Sequence, residues 1–328
     1  MDKPKIIILA TGGTIAGAAA SSTDVTGYAA GTVPIENLLN SVPQLAEIAE
    51  ISGEQIVNIG SQDMTETVWQ QLALRVNELL AEKNIDGVVI THGTDTLEET
   101  AFFLHLTVHS DKPVVMVGAM RPSTSVSADG PMNLLNAVRV AASPLSRGKG
   151  VLVVMNDTID CAREVTKTRS DNVAAFNSST AGALGFITGC DVIYLRDSLR
   201  RHTLQSNFSA EAKLPRVDIV YSYAGADGVM VDAAMAAGAS GIIHAGTGNG
   251  SIHMNTEPAL IRARKRGAVI VRSSRIPGAN TVQSLKKWSD MEFLNAGFLN
   301  PQKSRILLML ALTKTKDLLA IQKIFDEY

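Results

Sequence analysis

Cysteine is scarce in this 328-residue sequence, and the common metal-binding patterns are missing. The only 2 cysteines, Cys161 and Cys190, do not form a C-x-x-C motif, and the sequence contains no H-E-x-x-H motif. These absences argue against a zinc site and against a dithiol redox motif, so we expect no metal. A disulfide between the two cysteines stays open, because sequence does not reveal the distance between them.

The sequence also has no large excess of one charge, few aromatic residues and no long apolar runs. The net charge is −2 and aromatic residues make up 5% of the chain. There is no basic excess to attract nucleic acid or an anionic membrane, and there are few rings on which bases could stack. No apolar run approaches the length of a membrane span. We therefore expect no nucleic-acid partner and no membrane partner.

The amino-terminal end carries no signal-peptide pattern. Residues 1–5 (MDKPK) lead directly into the apolar run of residues 6–9. We expect either a cytoplasmic protein or a mature form whose leader has been removed.

Apolar, β-branched runs alternate with polar loops and helical segments along the chain. Runs of this kind occur near residues 6–9, 46–51, 55–59, 87–91, 113–117, 150–155, 217–221, 241–244 and 268–272. The alternation predicts an α/β fold, with a larger N-terminal domain built on a doubly wound, mostly parallel sheet and a smaller C-terminal α/β domain. A charged stretch without periodicity separates them. We predict an N-terminal domain at 1–195, a linker at 196–215 and a C-terminal domain at 216–328.

Two glycine-rich stretches invite a phosphate-binding interpretation, and both have the wrong spacing. Gly12 and Gly17 match the glycines of a Walker A loop, but alanines follow where lysine and a hydroxyl residue are needed. The later stretch at residues 246–250 reads G-x-G-x-G, whereas the dinucleotide fingerprint is G-x-G-x-x-G. The glycines after the first strand instead suit a tight turn that presents Thr14 at the carboxyl end of the sheet, where ligands bind in such folds.

Hydroxyl groups, a lysine and a carboxylate collect in the predicted strand-end loops. A threonine such as Thr14 is a weak nucleophile unless a base takes its proton, and a buried Lys167 beside Thr94 and Asp95 could supply that function. The alternative for Lys167 is an exposed loop lysine. Backbone N–H groups of Gly12, Gly13 and Gly93 would be suited to stabilise an oxyanion. Tyr28 lies in a polar run between Gly17 and Gly31 that is typical of a lid loop, where it could either close over a site or anchor the loop.

Two signature segments resemble the bacterial-type L-asparaginase family. They are TGGTIA at residues 11–16 and THGTDT at residues 91–96. The resemblance extends over nearly the whole chain, through residues 57–64, 114–122, 127–131, 165–168 and 299–303, and it is closest to the type II branch. It implies hydrolysis of L-asparagine to L-aspartate and ammonia, with weaker action on L-glutamine. It also implies two-domain subunits assembled as a homotetramer, a dimer of dimers, with no metal or organic cofactor.

The resemblance also implies roles for individual residues. Thr14 corresponds to the nucleophile, Tyr28 to the tyrosine of the mobile loop, and Thr94, Lys167 and Asp95 to the second catalytic group. Ser61 corresponds to a residue that binds the substrate α-carboxylate. Substrate-binding positions are matched by Ser61, Gln62, Thr94, Asp95 and Ser251, of which Gln62 and Asp95 hold the α-ammonium group and Ser251 reaches a neighbouring subunit's site.

One position departs from the family pattern. Many relatives carry a glutamate in the loop after Arg275, and Lys286 takes its place in our alignment. An ammonium directed at the substrate amine would be repelled, so we predict that Lys286 points to solvent and that Asp290 or Glu292 could help to hold the amine. The type II resemblance favours a periplasmic location, with a cytoplasmic one as the alternative. The competing function is a non-catalytic amino-acid binding protein on the same fold.

Overall fold

The computed structural model describes residues 3–19, 28–29, 35–282 and 285–328. The chain divides into two compact units, residues 1–210 and 211–328. No helix in the described ranges is both long enough and apolar enough to cross a bilayer. Cys161 is buried, Cys190 is exposed and both are free thiols, so the disulfide left open by the sequence is not formed.

The first unit contains twelve of the strands and five of the α-helices in the described part of the chain. Its strands are β1 (Lys5–Gly12), β2 (Ala18–Ala19), β3 (Tyr28–Ala29), β4 (Glu50–Ile59), β5 (Gly87–Thr91), β6 (Val114–Val117), β7 (Val151–Met155), β8 (Thr158–Cys161), β9 (Thr166–Lys167), β10 (Phe176–Asn177), β11 (Gly185–Thr188) and β12 (Asp191–Tyr194). Its helices are α1 (Ile35–Asn40), α2 (Leu45–Ile48), α3 (Glu66–Ala81), α4 (Leu97–Thr107) and α5 (Gly130–Ala142).

An 8-stranded sheet in the order β12-β11-β8-β7-β6-β5-β1-β4 forms the centre of this unit. The neighbours from β4 to β7 are parallel, and β8, β11 and β12 join as antiparallel strands. Parallel strands of this kind need apolar residues on both faces, and β1 supplies them with Ile6, Ile7, Ile8 and Leu9, all buried. The predicted mostly parallel α/β fold is confirmed.

Helices cover both faces of the sheet because successive strand side chains point in opposite directions. Ile6 and Ile8 pack in one core cluster with Leu134 and Val138 of α5. The α3 and α4 helices pack against each other, and the rings of Trp69 and Phe103 stack with centroids 5.5 Å apart. Helix α3 begins where the Thr65 side chain accepts a hydrogen bond from the backbone N–H of Val68, as an N-cap residue does.

Two strands were expected near residues 46–51 and 55–59; the second is confirmed as part of a longer strand, and the first is wrong over most of its length. Residues 45–48 form α2, and Glu50–Ile59 is one continuous strand at the edge of the sheet. Pairing with β1 carries the strand through Gly53, and the glycine backbone lies against Ile35 of α1, where an added Cβ would be 2.8 Å from the Ile35 Cγ1 atom. Local composition suggested a break at this point, and the long-range pairing overrides it.

The second unit is a smaller parallel α/β structure. Its strands are β13 (Val217–Tyr221), β14 (Gly241–Gly246), β15 (Val269–Ser274) and β16 (Leu294–Asn295), and its helices are α6 (Val229–Ala236), α7 (Glu257–Lys265), α8 (Lys286–Asp290), α9 (Pro301–Leu312) and α10 (Leu318–Glu327). The four strands pair in sequence order and all in parallel. The smaller C-terminal α/β domain is therefore confirmed as a fold.

Part of the segment predicted as a linker packs on the first unit. The Ser206 hydroxyl donates to the backbone oxygen of Leu106, and the Nε2 atom of His109 lies 2.8 Å from the backbone oxygen of Phe208. The chain reaches the division between the units only after Ala210. The boundaries at 1–195, 196–215 and 216–328 stay a prediction.

Candidate active site

Three neighbouring parallel strands bring the candidate residues of the first unit to one edge. In the order β5-β1-β4, Ala10 of β1 pairs with Thr91, and Gly12 pairs with Ile59. Thr94, Thr14 and Ser61 follow the carboxyl ends of these strands and are all buried, between 3% and 5% exposed. This edge of the sheet is where ligands bind in open α/β folds.

Glycine backbones in contact make this arrangement compact. A Cβ atom added to Gly13 would lie 2.3 Å from the Cα atom of Gly93, and one added to Gly93 would lie 2.7 Å from the Ser61 Oγ atom. Gly12 and Gly13 have φ angles of +103° and +84°, which L-residues with a side chain rarely adopt. The glycines immediately before Thr14 and Thr94 are therefore in backbone contact.

Lys167 contacts two residues of the loop after β5. Its Nζ atom lies 2.9 Å from Thr94 Oγ1 and 2.6 Å from Asp95 Oδ1. The Lys167 side chain is 16% exposed and that of Asp95 is 63% exposed, so the cluster opens toward solvent on the Asp95 side. Lys167 is therefore partly buried and paired. It is not the exposed loop lysine that the sequence left as the alternative.

Ser61 links the β4 loop to the β5 loop. Its Oγ atom accepts a hydrogen bond from the backbone N–H of Asp95, and its backbone oxygen accepts one from the Thr96 hydroxyl. The neighbouring Gln62 is exposed, and its amide nitrogen donates to Asp63 at 3.1 Å. The structure thus brings Thr14, Ser61, Thr94, Asp95 and Lys167 together, with Gln62 at the exposed rim.

The expected oxyanion donors need a correction. The backbone N–H of Gly13 donates to the carbonyl oxygen of Ile59 at 3.1 Å, so it is already engaged. At Gly13 the glycine is required by close packing against Gly93 rather than to supply an N–H donor. The prediction that Gly13 stabilises an oxyanion is wrong.

His92 is a residue that the sequence reasoning missed. It is fully buried, and its Nδ1–H donates to the carbonyl oxygen of Gly93 at 2.7 Å. Its Nε2 atom then accepts from the Thr100 hydroxyl, whose oxygen in turn accepts from the indole N–H of Trp69. Each group donates once in this chain of hydrogen bonds, so the ring is neutral. Burial lowers the pKa of His92 to about 4, against the opposing effect of the Gly93 carbonyl.

A second missed residue is Glu98, in the first turn of α4. The carboxylate is buried, and it accepts hydrogen bonds from the Thr166 hydroxyl and from the backbone N–H of Lys167. A glutamate in a first helical turn is normally read as an exposed residue that favours the helix dipole. The only sequence signal was its position four residues after Thr94, just beyond the THGTDT motif.

Three further candidates lie on other segments of the chain. The backbone of Tyr28 pairs with Ala19 in the short β2–β3 ribbon, and its side chain, like most of the predicted lid, lies outside the described residues. Ser251 is exposed in the second unit, where the buried Arg272 donates to the carbonyl oxygens of Asn249 and Gly250 just before it. Lys286 is exposed at the start of α8.

The acids proposed to compensate for Lys286 are also in the second unit. Glu292 forms an ion pair with Arg264 at 2.8 Å, while Asp290 is exposed at the end of α8. The described residues contain no cluster of three or more His, Cys, Asp or Glu side chains that could hold a metal ion.

Comparison with known proteins identifies the family. Residues 5–200 match "Asparaginase, N-terminal", and residues 216–325 match "Glutaminase/Asparaginase C-terminal domain". The chain is 52% identical to "L-asparaginase 2" of Escherichia coli (strain K12), with 99% of this chain and 93% of that protein covered. The chain belongs to the asparaginase family. The resemblance drawn from the two motifs and the prediction of an enzyme are thereby confirmed.

Relatives within the asparaginase family carry several names. The "Glutaminase-asparaginase" of Pseudomonas fluorescens biotype A is 47% identical, with 98% of this chain and 90% of that protein covered. The crystal structure of a "Probable Cytoplasmic L-asparaginase" from Campylobacter jejuni has a TM-score of 0.97 at 49% identity, covering 99% of this chain and 100% of that one. The family likeness thus spans both units.

Proposed function

We propose that this chain hydrolyses L-asparagine to L-aspartate and ammonia, with weaker action on L-glutamine, through a threonyl ester on Thr14. The observation that carries the proposal is the Lys167 amine, which lies 2.9 Å from Thr94 Oγ1 and 2.6 Å from Asp95 Oδ1. A hydroxyl paired with an amine and a carboxylate is the arrangement that proton transfer during acyl transfer requires. Relatives named L-asparaginase and glutaminase-asparaginase support the substrate class.

In this mechanism the Thr14 hydroxyl attacks the side-chain amide carbon of the substrate and gives up its proton. Ammonia leaves as the ester forms, and water then hydrolyses the ester to release L-aspartate. Thr94, Lys167 and Asp95 form the route along which a proton moves, since each hydrogen-bonded step is within 3 Å. Lys167 must be neutral when it accepts a proton from Thr94.

Substrate recognition in the proposal uses the polar rim. Ser61 would bind the α-carboxylate, while Gln62 and Asp95 would hold the α-ammonium group. The exposed Asp95 carboxylate and the exposed Gln62 amide face the open side of the site, which suits groups that meet an incoming amino acid. A non-catalytic amino-acid binding protein would use the same rim, but it would not need the amine behind Thr94.

The test is ammonia release from L-asparagine by the full chain and by two variants. We expect Thr14→Ala and Lys167→Met to lower kcat by at least about a hundredfold while the fold and L-aspartate binding persist, because each removes a group needed only in the transition state. Lys167→Met keeps the side-chain volume and removes the amine. A wild-type chain that binds L-asparagine and releases no ammonia would favour the binding protein instead.

Assembly and location complete the proposal. Ser251 and the loop after Arg275 match positions that reach a neighbouring subunit's site, so we propose a homotetramer of 34.8 kDa chains arranged as a dimer of dimers. Light scattering of the active protein measures this directly, and an active monomer would contradict it.

One relative is named a periplasmic L-asparaginase and another a cytoplasmic one. We propose that this chain is periplasmic. Fractionation of the source cells tests this location.

A further inference from the structure

Glu98 is a buried carboxylate directly behind the catalytic cluster. It lies in the first turn of α4, four residues after Thr94, and only 5% of the residue is exposed. Glutamate is almost never buried to this extent unless its charge meets hydrogen-bond donors. The identity of those donors therefore indicates what the residue is for.

The donors belong to the strand that carries the catalytic lysine. The Glu98 Oε2 atom lies 2.6 Å from the Thr166 hydroxyl and 2.6 Å from the backbone nitrogen of Lys167. Hydrogen bonds to an ionised oxygen are shorter and stronger than those between neutral groups. The carboxylate thus holds the backbone of the residue whose amine contacts Thr94 and Asp95.

This tie matters because the ladder that contains β9 is short. The strand is two residues long, and within the described residues its ladder joins only the equally short β10, outside the main sheet. An isolated two-stranded ribbon is at best marginally stable. Helix α4, in contrast, begins directly after the loop of Thr94 and Asp95 and packs in the core.

We propose that Glu98 is a positioning residue, which fixes the Lys167 backbone to α4 so that the amine stays in reach of Thr94 and Asp95. Glu98 acts through Lys167 and does not contact substrate. Its effect on turnover rests on the proposed function, since a displaced Lys167 would lower the rate only if the lysine takes part in catalysis.

The first test compares kcat and KM for L-asparagine in Glu98→Ala, Glu98→Gln and the matched control Glu99→Ala. Glu99 is the neighbouring carboxylate in the same helical turn. We expect Glu98→Ala to lower kcat by about a hundredfold, the loss that a displacement near 1 Å can cause, and to change KM by less than about threefold. Glu98→Gln should recover most of kcat, because its amide oxygen still accepts from the Lys167 N–H. Glu99→Ala should resemble the wild type.

The second test does not depend on activity. The exchange rate of the Lys167 amide hydrogen, measured by NMR, should rise in Glu98→Ala and stay near the wild-type value in Glu98→Gln and Glu99→Ala. If Glu98→Ala does not fold, Glu98→Asp withdraws the carboxylate by one methylene and should show the same loss of kcat and of protection.

These measurements separate two failures. A wild-type chain without asparaginase activity would refute the proposed function, while amide exchange would still report on the tie to Lys167. Wild-type kcat together with unchanged exchange in the Ala or Asp variant would overturn the role of Glu98. Equal loss of kcat in Glu98→Gln and Glu98→Ala would overturn it as well, because the conservative variant keeps the acceptor.

Discussion

At the scale of single residues, two buried histidines are held neutral for different reasons. His92 is neutral because its two ring nitrogens are used by one acceptor and one donor. His244 in β14 has no hydrogen-bond partner at either ring nitrogen among the described residues, and burial together with the charge of Arg272 lowers its pKa to about 4. Burial lowers the pKa of both histidines; in His92 hydrogen bonds also satisfy both ring nitrogens, and in His244 the charge of Arg272 adds to the effect of burial.

These shifts predict how stability depends on pH. The unfolded chain binds a proton at each histidine near pH 6.5, whereas the folded chain resists it until about pH 4. The stabilisation is therefore complete above pH 6.5 and is lost as pH falls from 6.5 toward 4, by about 1.4 kcal/mol per pH unit for each histidine. Urea denaturation across this range measures the slope.

His244→Leu isolates one of the two contributions. It removes two ring nitrogens without partners, so we expect the free energy of unfolding at pH 7 to stay level or to rise. Between pH 6.5 and 4 the free energy of unfolding should fall less steeply with decreasing pH than in the wild type, because one proton fewer is taken up on unfolding. Above pH 6.5 the two curves of free energy against pH should run parallel. Identical slopes below pH 6.5 would contradict the assignment.

At the scale of elements, the loops after β1 and β5 are in close backbone contact at Gly13 and Gly93, which leaves no room for a side chain. Gly13→Ala adds a methyl group 2.3 Å from the Gly93 backbone at a φ of +84°. We expect loss of activity and a fall in the free energy of unfolding of at least about 3 kcal/mol, from backbone strain and overlap together.

Gly148→Ala is the matched control for this prediction. Gly148 also has a positive φ, +73°, but a Cβ there would meet nothing within 4 Å. Its cost should be that of the left-handed conformation alone, about 1 to 2 kcal/mol, with activity retained. Equal destabilisation by the two substitutions, measured by urea denaturation, would show that the contact with Gly93 is unimportant.

At the scale of the whole molecule, Lys286 tests the proposed site across a subunit boundary. Lys286 is exposed, and the family resemblance implies that it takes the place of a glutamate, so we expect Lys286→Glu to lower KM for L-asparagine through attraction of the α-ammonium group, with a smaller change in kcat. Steady-state kinetics at low and high salt measures the effect, which screening should weaken. An unchanged KM would show that the position does not face a neighbour's site.

Much of this architecture was determined by the sequence alone. The buried apolar run of β1 and the repeated strand–loop–helix order specify a parallel sheet, because such strands must be covered by helices on both faces. The chain order then places the polar loops after Thr91 and Gly12 at one edge, as observed for Thr14 and Thr94. Local periodicity and motif spacing carry this information, since each depends only on residues near one another in the chain.

The tertiary structure decided the rest. Lys167 and Thr94 are 73 positions apart, and only packing brings the amine to the hydroxyl. The same holds for the engaged N–H of Gly13, for the continuous strand through Gly53 and for the burial of Glu98 against the lysine strand. In each case the partner is remote in sequence, so its hydrogen bonds and steric contacts are set by how whole elements pack, which no local pattern encodes.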